Sequence, residues 1–423
     1  MAGKIQSVKG TREFYPEQMS LRNFINEKVR AASQAFGYQE WEAPFIETID
    51  LYAAKSGEEL VKKQSFTFQD RGGDFVTLRP ELTPSLARMI AAKQGELTFP
   101  VRWWSFGPFW RYEQPQKGRS REFFQWNIDL LGVDSPEADA ELIAVAATFL
   151  RSVGLNPQLA AIYVNNRRLM ESEFDALGIA SEKRVDVSNL VDRRSKMEPA
   201  KWEAYAIEVG LTQSQVDGLK NTLGDFDLWK KSAELTRLFA ALDALGVSDY
   251  VKFDPNIMRG LLYYTSTVFE AFETSGSLKR AILGGGRYDN LLADVGGQPL
   301  PAVGFAMGDV VIGIILQENG LLPEFIPTPA SVMVTVFDET MLVKSFELAA
   351  QLRNAGLNVM VYPEPVKLQK QFKFADKMKI KIALTVGPDE AARDEVAVKN
   401  LVNGEQVTVK REAVFDIVKK LID

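Results

Sequence analysis

The sequence predicts an α+β chain: an antiparallel sheet flanked by helices, a helical insertion, and a C-terminal α/β domain. Three observations carry that expectation. Residues 109–132, FWRYEQPQKGRSREFFQWNIDLLG, read as two strands joined by a Pro/Gly turn that holds Lys117, Arg119 and Arg121. Residues 171–250 change to helical periodicity with few glycines and dense charge, as in Glu182-Lys183-Arg184 and Asp192-Arg193-Arg194. Beyond a stiff linker marked by Pro323, Pro327 and Pro329, strands at 331–338, 358–363 and 380–387 alternate with helices at 339–355 and 366–379.

The elements follow in chain order. Residues 17–36 read as an amphipathic helix closed by Gly37, and Tyr38 to Ile46 as a strand interrupted by Pro44. Phe66 to Arg79 reads as strands about the Arg-Gly-Gly-Asp turn at 71–74. Thr83-Pro84 opens a helix to about Lys93, with Thr83 as the expected N-cap and Pro84 at the first helical position. In the hairpin, alternation puts Gln125, Asn127 and Asp129 on one face, and Phe124, Trp126, Ile128 and Leu130 on the other. On its outgoing strand Arg111 and Glu113 fall together, opposite Trp110 and Tyr112. If the polar faces coincide, polar groups lie within an apolar sheet, and either a polar ligand or solvent must satisfy them. A helix from Pro136 to about Val153 leads to the insertion. Strand signals resume at Ile257 to Phe272 and Ala281 to Leu283, ahead of Gly284-Gly285-Gly286. Ala302 to Gln317 reads as strand then helix, and an Asn403-Gly404 hairpin and a terminal helix complete the chain. The expected domains are 1–325, with the insertion at about 171–250, and 330–423.

Composition narrows the chemistry. At 423 residues, 46% apolar and 25% charged, the chain is long enough for two or three domains with ample cores. Residues 1–10 lack the apolar segment of a signal peptide, and Val310 to Leu316 is too short to span a bilayer, so a cytoplasmic, membrane-free location is expected. The absence of cysteine removes disulfides, thiolate metal sites and cysteine nucleophiles. The absence of histidine removes Ser-His-Asp machinery, imidazole bases and His-ligated zinc. A metal must then be held by oxygen, which points to Mg²⁺ escorting a phosphate ligand rather than to a metal site of the protein itself. Net charge is −6, yet residues 330–423 carry 14 basic and 13 acidic side chains, so the negative excess lies in the larger domain.

Four constellations carry chemistry, each with a structural alternative. Glu81 and Thr83 stand at the start of a helix, where they suit a substrate ammonium or simple helix-start capping. Arg259 stands in the apolar run from Asn256 to Thr265, and a guanidinium there needs a phosphate, a carboxylate ligand or a protein carboxylate. Gly284-Gly285-Gly286-Arg287-Tyr288-Asp289 lacks the spacing of a dinucleotide fingerprint and reads as backbone passing close to a ligand or another strand. Lys370, Lys373 and Lys377 make a basic stripe on a helix, fit for nucleic-acid phosphates or for plain solvation.

The order of these signals resembles that of histidyl-tRNA synthetase, a class II aminoacyl-tRNA synthetase, over essentially the whole length. Lys9 to Glu13 resembles the family's start, Gly37-Tyr38 through Pro44 and Glu47 its motif 1, and Arg111 through Gly132 its motif 2. Arg259-Gly260-Leu261 with Tyr263-Tyr264, and Gly284 through Tyr288, are similar to the two histidine-specific signatures. The resemblance implies an antiparallel class II catalytic sheet, a helical insertion and a C-terminal α/β anticodon-binding domain on a homodimer. It implies ATP-dependent activation of L-histidine to histidyl-adenylate, with Mg²⁺, and transfer to the 3′ end of histidine tRNA. Glu81 and Thr83 would hold the α-amino group, with Gln125 nearby in the histidine site, and Asp129 would accept an imidazole N–H. Arg111 would grip the α-phosphate and carboxylate, and Arg259 would stabilise charge developing there. Glu113 and Arg119 would contact ATP, while Tyr263, Tyr264 and Tyr288 would line the histidine pocket. Gln114 and Gln116 would meet the tRNA acceptor end, and Lys370, Lys373 and Lys377 would contact tRNA phosphates. Adenylate formation is in-line displacement by an ionised carboxylate, so it needs no histidine base.

The sequence departs from that pattern in places. Val311 stands where motif 3 usually ends in an arginine, Leu262 where Asp is frequent, Gln114 for an arginine and Phe124 for a histidine. The rival reading is a non-catalytic, synthetase-like regulatory subunit that senses histidine for its biosynthesis. Such relatives generally lack the anticodon domain and the reactive arginines, whereas this chain keeps Arg111, Arg119, Arg259 and a full α/β tail. A tRNA-binding module without catalysis would leave the polar face around Asp129 without a role.

Overall fold

The computed structural model describes residues 5–53, 63–258, 263–275, 280–290, 293 and 297–422. It divides into two compact units, one of residues 1–13 and 21–322, the other of 14–20 and 323–423. Among the described residues, no helix is long and apolar enough to cross a membrane.

The strands of the first unit are β1 (Gln39–Glu40), β2 (Ile46–Thr48), β3 (Phe66–Gln69), β4 (Phe75–Leu78), β5 (Val101–Trp110), β6 (Glu122–Leu131), β7 (Ala160–Asn166), β8 (Val251–Phe253), β9 (Thr267–Glu273), β10 (Leu283–Tyr288) and β11 (Ala302–Gly308). Eight of them form one sheet in the order β1-β5-β6-β11-β10-β9-β7-β8, and β2, β4 and β3 form a small second sheet. Every pairing from β5 to β7 is antiparallel; only the edge strands β1 and β8 run parallel to their neighbours. The longest pairing joins β5 to β6, from Val101 opposite Leu131 to Trp110 opposite Glu122.

Alternation along β6 gives the sheet two unlike faces. On one, Trp126 meets Phe149 at 5.3 Å and Phe305 at 4.8 Å between ring centres. Phe149 belongs to the helix Pro136–Ser152, which starts at Ser135, whose side chain accepts from the Ala138 amide. That alanine-rich helix lets the sheet approach closely, and its burial extends one continuous apolar core into the insertion. The other face carries Gln125, Asn127 and Asp129 over a smaller apolar cluster with Leu82, Tyr264 and Tyr288. The insertion lies between β7 and β8 and is helical throughout, with Leu190, Trp202, Val216 and Leu238 buried and a capping box of Thr212 with Gln215.

Several sequence expectations need correction. Tyr38 to Ile46 is not one strand: β1 ends at Glu40, and Ile46–Thr48 pairs in the other sheet. Pro44, which has no N–H, marks the exchange. The outgoing hairpin strand begins at Val101 and ends at Trp110, so Arg111 and Glu113 lie beyond it. The Arg111 amide still donates to the Arg121 carbonyl at 2.9 Å, but the Tyr112 amide turns to Gln64 at 2.7 Å. Thr83 is the first helical residue rather than the cap, because fully buried Leu82 already takes helical dihedrals and occupies the cap position without a side-chain bond. Ile257 does not start a strand, since Asn165 Nδ2 donates to the Pro255 and Ile257 carbonyls and holds that segment as a loop.

In the second unit β12 (Val332–Val336), β13 (Val359–Val361), β14 (Ile382–Val386), β15 (Glu395–Asn400) and β16 (Gln406–Lys410) form a sheet ordered β13-β12-β14-β15-β16. The first three run parallel and the rest antiparallel. Buried Gln371 pins the helix Leu368–Lys377 to β12, accepting from the Val336 amide at 2.9 Å and donating to its carbonyl at 2.7 Å.

Candidate active site

Asp129 stands in the middle of β6, opposite Gly304 on β11 and Trp103 on β5. A Cβ on Gly304 would lie 2.0 Å from the Asp129 carboxylate, so that glycine makes room for the acid. The Tyr288 hydroxyl donates to Asp129 Oδ1 at 2.6 Å. Burial pushes the Asp129 carboxyl up to about 7, against the pull of that one hydrogen bond. Burial, followed by the neighbouring Asp129, also raises the Tyr288 phenol. The Tyr263 ring packs at a tilt against Tyr264, 4.7 Å between centres, and meets Tyr288 edge-on at 6.1 Å. Gly286 clears the way: a Cβ there would fall 2.8 Å from the Tyr264 ring, and one on Gly285 would strike the Gly304 carbonyl of the next strand. The glycine run thus lets backbone pass close to a neighbouring strand and ring.

Arg287, between that glycine run and Tyr288, does not face a ligand. It is buried, donates to Asp139 at 2.6 Å and to the carbonyls of Val133 and Ser135, and ties β10 to the start of the helix Pro136–Ser152.

The same face of the sheet opens into a cavity of about 1320 Å³ lined by Arg111, Glu113, Arg119 and Gln125 among others. Gln125 precedes Asp129 by four residues, about 13 Å along an extended strand. Its Oε1, like Asn127 Nδ2 and Ser105 Oγ, is buried without a hydrogen-bond partner among the described residues. Arg111 donates from Nε to the Pro80 carbonyl at 2.9 Å, and its guanidinium lies 5.3 Å from the Phe123 ring centre. The loop between β5 and β6 turns at Gly118 with φ +79, and within it Arg119 pairs with Glu113 at 3.0 Å. Asp309 fixes the cavity wall by accepting from Arg12 Nη2 and from the Phe124 amide.

The structure therefore gathers the expected residues into two groups. Arg111, Glu113, Arg119 and Gln125 line the cavity; Asp129, Tyr264, Tyr288 and the partly buried Tyr263 make an aromatic cluster on the same sheet face. Glu81 and Thr83 are half-buried at the helix start beside buried Leu82, and Tyr52 donates to the Glu81 carbonyl at 3.4 Å. That segment is anchored by buried Arg79, which pairs with Glu42 and donates to the Pro108 carbonyl at 3.0 Å. Gln114 and Gln116 are exposed on the hairpin loop, and Lys370, Lys373 and Lys377 are exposed on one helix of the second unit. Arg259 lies outside the described residues. Sequence reasoning missed Arg280 and the insertion residues Lys196 and Lys201, which also line the cavity. Nothing in their spacing points there, because tertiary contact across distant segments brings them in.

A family model described as histidyl-tRNA synthetase matches residues 10–309, and one described as an anticodon binding domain matches 331–421. The chain is 38% identical over 430 residues to the histidine–tRNA ligase of Opitutus terrae, covering 98% of each chain. It is also 38% identical to the histidine–tRNA ligase of Thermoplasma volcanium, covering 96% of each. Its structure is similar to that of histidyl-tRNA synthetase from Nostoc sp. PCC 7120, with a TM-score of 0.86, 26% identity and 99% of both chains covered. With the glycine-lined acid on the central strand and the arginine-lined cavity beside it, these likenesses place the chain: it belongs to the histidyl-tRNA synthetase family of aminoacyl-tRNA ligases.

Proposed function

We propose that the chain is a histidine–tRNA ligase that activates L-histidine with ATP on the β6 face and transfers the histidyl group to the 3′ end of histidine tRNA. The observation that carries this reading is the buried Asp129–Tyr288 pair at one end of that face, with Gln125, Arg111 and Arg119 toward the other. An acid held in an apolar aromatic pocket favours a ligand that returns a hydrogen bond, as an imidazole N–H does, and penalises amino acids lacking one. Glu81, Thr83 and Gln125 would receive the α-amino group. Arg111 would fork onto the substrate carboxylate and α-phosphate, with Arg259 neutralising the charge that builds there, and Tyr263 and Tyr264 would wall the pocket. The nucleophile is an ionised carboxylate, so these side chains orient it and offset charge without abstracting a proton.

Glu113 and Arg119 would receive ATP, and the cavity lining offers carboxylate oxygen, the donor type a hard cation takes, singly rather than as a cluster. Among the described residues no group of three or more potential ligands is placed to hold a metal ion. Mg²⁺ would therefore complete its shell from phosphate oxygens and water, adding positive charge at the transferring phosphorus. In this reading residues 1–325 are the catalytic domain and 330–423 the anticodon-binding domain, in a cytoplasmic homodimer. Gln114 and Gln116 meet the acceptor end, and Lys370, Lys373 and Lys377 meet tRNA phosphates. The test is exchange of labelled pyrophosphate into ATP. The purified chain should catalyse it only when L-histidine is present; a folded protein that binds histidine yet exchanges at background would instead make the chain a histidine sensor.

A further inference from the structure

Arg280 enters the cavity from the segment just before β10 and has no assigned part in the reading above. It is partly buried, and no hydrogen bond or ion pair joins its guanidinium to a described residue. It sits against the loop between β5 and β6: a Cβ on Gly118 would lie 3.1 Å from Arg280 Cδ, 3.5 Å from its Nε and 3.7 Å from Val311 Cγ2. Arg280, Gly118 and Val311 therefore meet at one spot on the cavity wall, one turn of loop from Arg119. Burial, then the nearby Arg119, holds the Arg280 guanidinium below its usual range, while Glu113 works the other way. Arg119 already engages the Glu113 carboxylate at 3.0 Å, and no carboxylate among the described residues pairs with Arg280. A cation with no ion pair among the described residues, set between apolar wall and like charge, is stabilised by an anion with several negative oxygens, which two planar forks bind better than one.

We propose that Arg280 is a nucleotide-binding residue that, opposite Arg119, grips the outer phosphates of ATP where the neutral Val311 side chain offers no charge. This assignment rests on the ligase reading, because it takes ATP as the occupant of the cavity. It predicts that Arg280 acts on polyphosphate rather than on the nucleoside.

The experiment uses the full chain with Arg280→Met, which keeps the apolar stem against Gly118, and Arg280→Lys, which keeps charge without the fork. Equilibrium binding of ATP and of AMP is measured by calorimetry, and KM values for ATP and histidine by pyrophosphate exchange. Arg280→Met should weaken ATP binding and raise its KM at least tenfold, while AMP affinity and the histidine KM change less than twofold. Arg280→Lys should recover part of the loss. Unchanged ATP affinity in Arg280→Met, with the wild type active, overturns this assignment alone. Equal loss for ATP and AMP also overturns it, by putting the guanidinium on the nucleoside. A wild type that neither binds ATP nor exchanges pyrophosphate overturns the ligase reading and this one together.

Discussion

A carboxylate buried in mid-sheet keeps its proton unless something compensates its charge, and among the described residues Asp129 has only the Tyr288 hydroxyl to do so. Its folded value of about 7 is above the ordinary one of 3.8, so the folded state binds the extra proton between those limits. Stability conferred by that proton is complete below about pH 4 and is lost as pH rises through 7. Asp129→Asn removes the loss, so at pH 8 the variant should be more stable than the wild type by on the order of 2 kcal/mol, read from urea unfolding. Function moves the other way. If Asp129 receives a neutral imidazole, the histidine KM should climb on acidification with two ionisations, those of Asp129 and of free histidine. The Asn variant should keep only the second and start roughly ten- to a hundredfold higher, the consequence of an ill-paired buried group. A wild-type profile with a single ionisation would separate Asp129 from histidine recognition. The pairing of this acid with glycine was legible only by half: alternation put Asp129 with Gln125 and Asn127, but register alone sets Gly304 opposite it.

At the scale of elements, the β5–β6 hairpin and β10 build the site, and they were not equally readable. The return strand β6 alternates cleanly, so its faces follow from sequence. The outgoing strand does not, because Arg111 and Glu113 lie beyond its end at Trp110; the Arg111 amide still meets the Arg121 carbonyl, but the Glu113 amide turns back to that of Arg111. They reach the cavity from a loop, which periodicity does not locate. Strand β10 is harder still: its glycines make sense only beside Tyr264 and the Gly304 carbonyl, and the partner of Arg287, Asp139, is far from it in the chain. That buried pair, 2% and 3% exposed, holds β10 to the start of the helix Pro136–Ser152. Removing Asp139 leaves the buried guanidinium only the longer ion pairs to Asp289 at 3.6 Å and Asp134 at 3.7 Å, so Asp139→Ala should cost about 3 kcal/mol in urea unfolding. The double replacement Asp139→Leu with Arg287→Met should cost less than the single one, since neither member of the buried pair is then left charged without the other. A double variant less stable than Asp139→Ala would mean that Arg287 acts mainly through the Val133 and Ser135 carbonyls.

On the scale of the whole molecule, the two units have separate apolar cores and divide the proposed work between small-molecule chemistry and RNA. The second unit was the more legible, because buried parallel strands read as short apolar runs and the connecting helices are amphipathic. Its helix Leu368–Lys377 buries Gln371 and Ala375 and leaves Lys370, Lys373 and Lys377 exposed, which fits solvation as well as phosphate contact. Salt dependence separates these. Each lysine–phosphate contact releases counterions, so replacing the three lysines by alanine should raise the tRNA KM about tenfold at low salt. The slope of log KM against log salt should flatten by about two to three. Pyrophosphate exchange should stay within twofold of the wild type, because histidine and ATP need none of these side chains. An unchanged tRNA KM and slope would leave the stripe a solvated face. A parallel fall in exchange would instead show that the lysines support the fold of the chain.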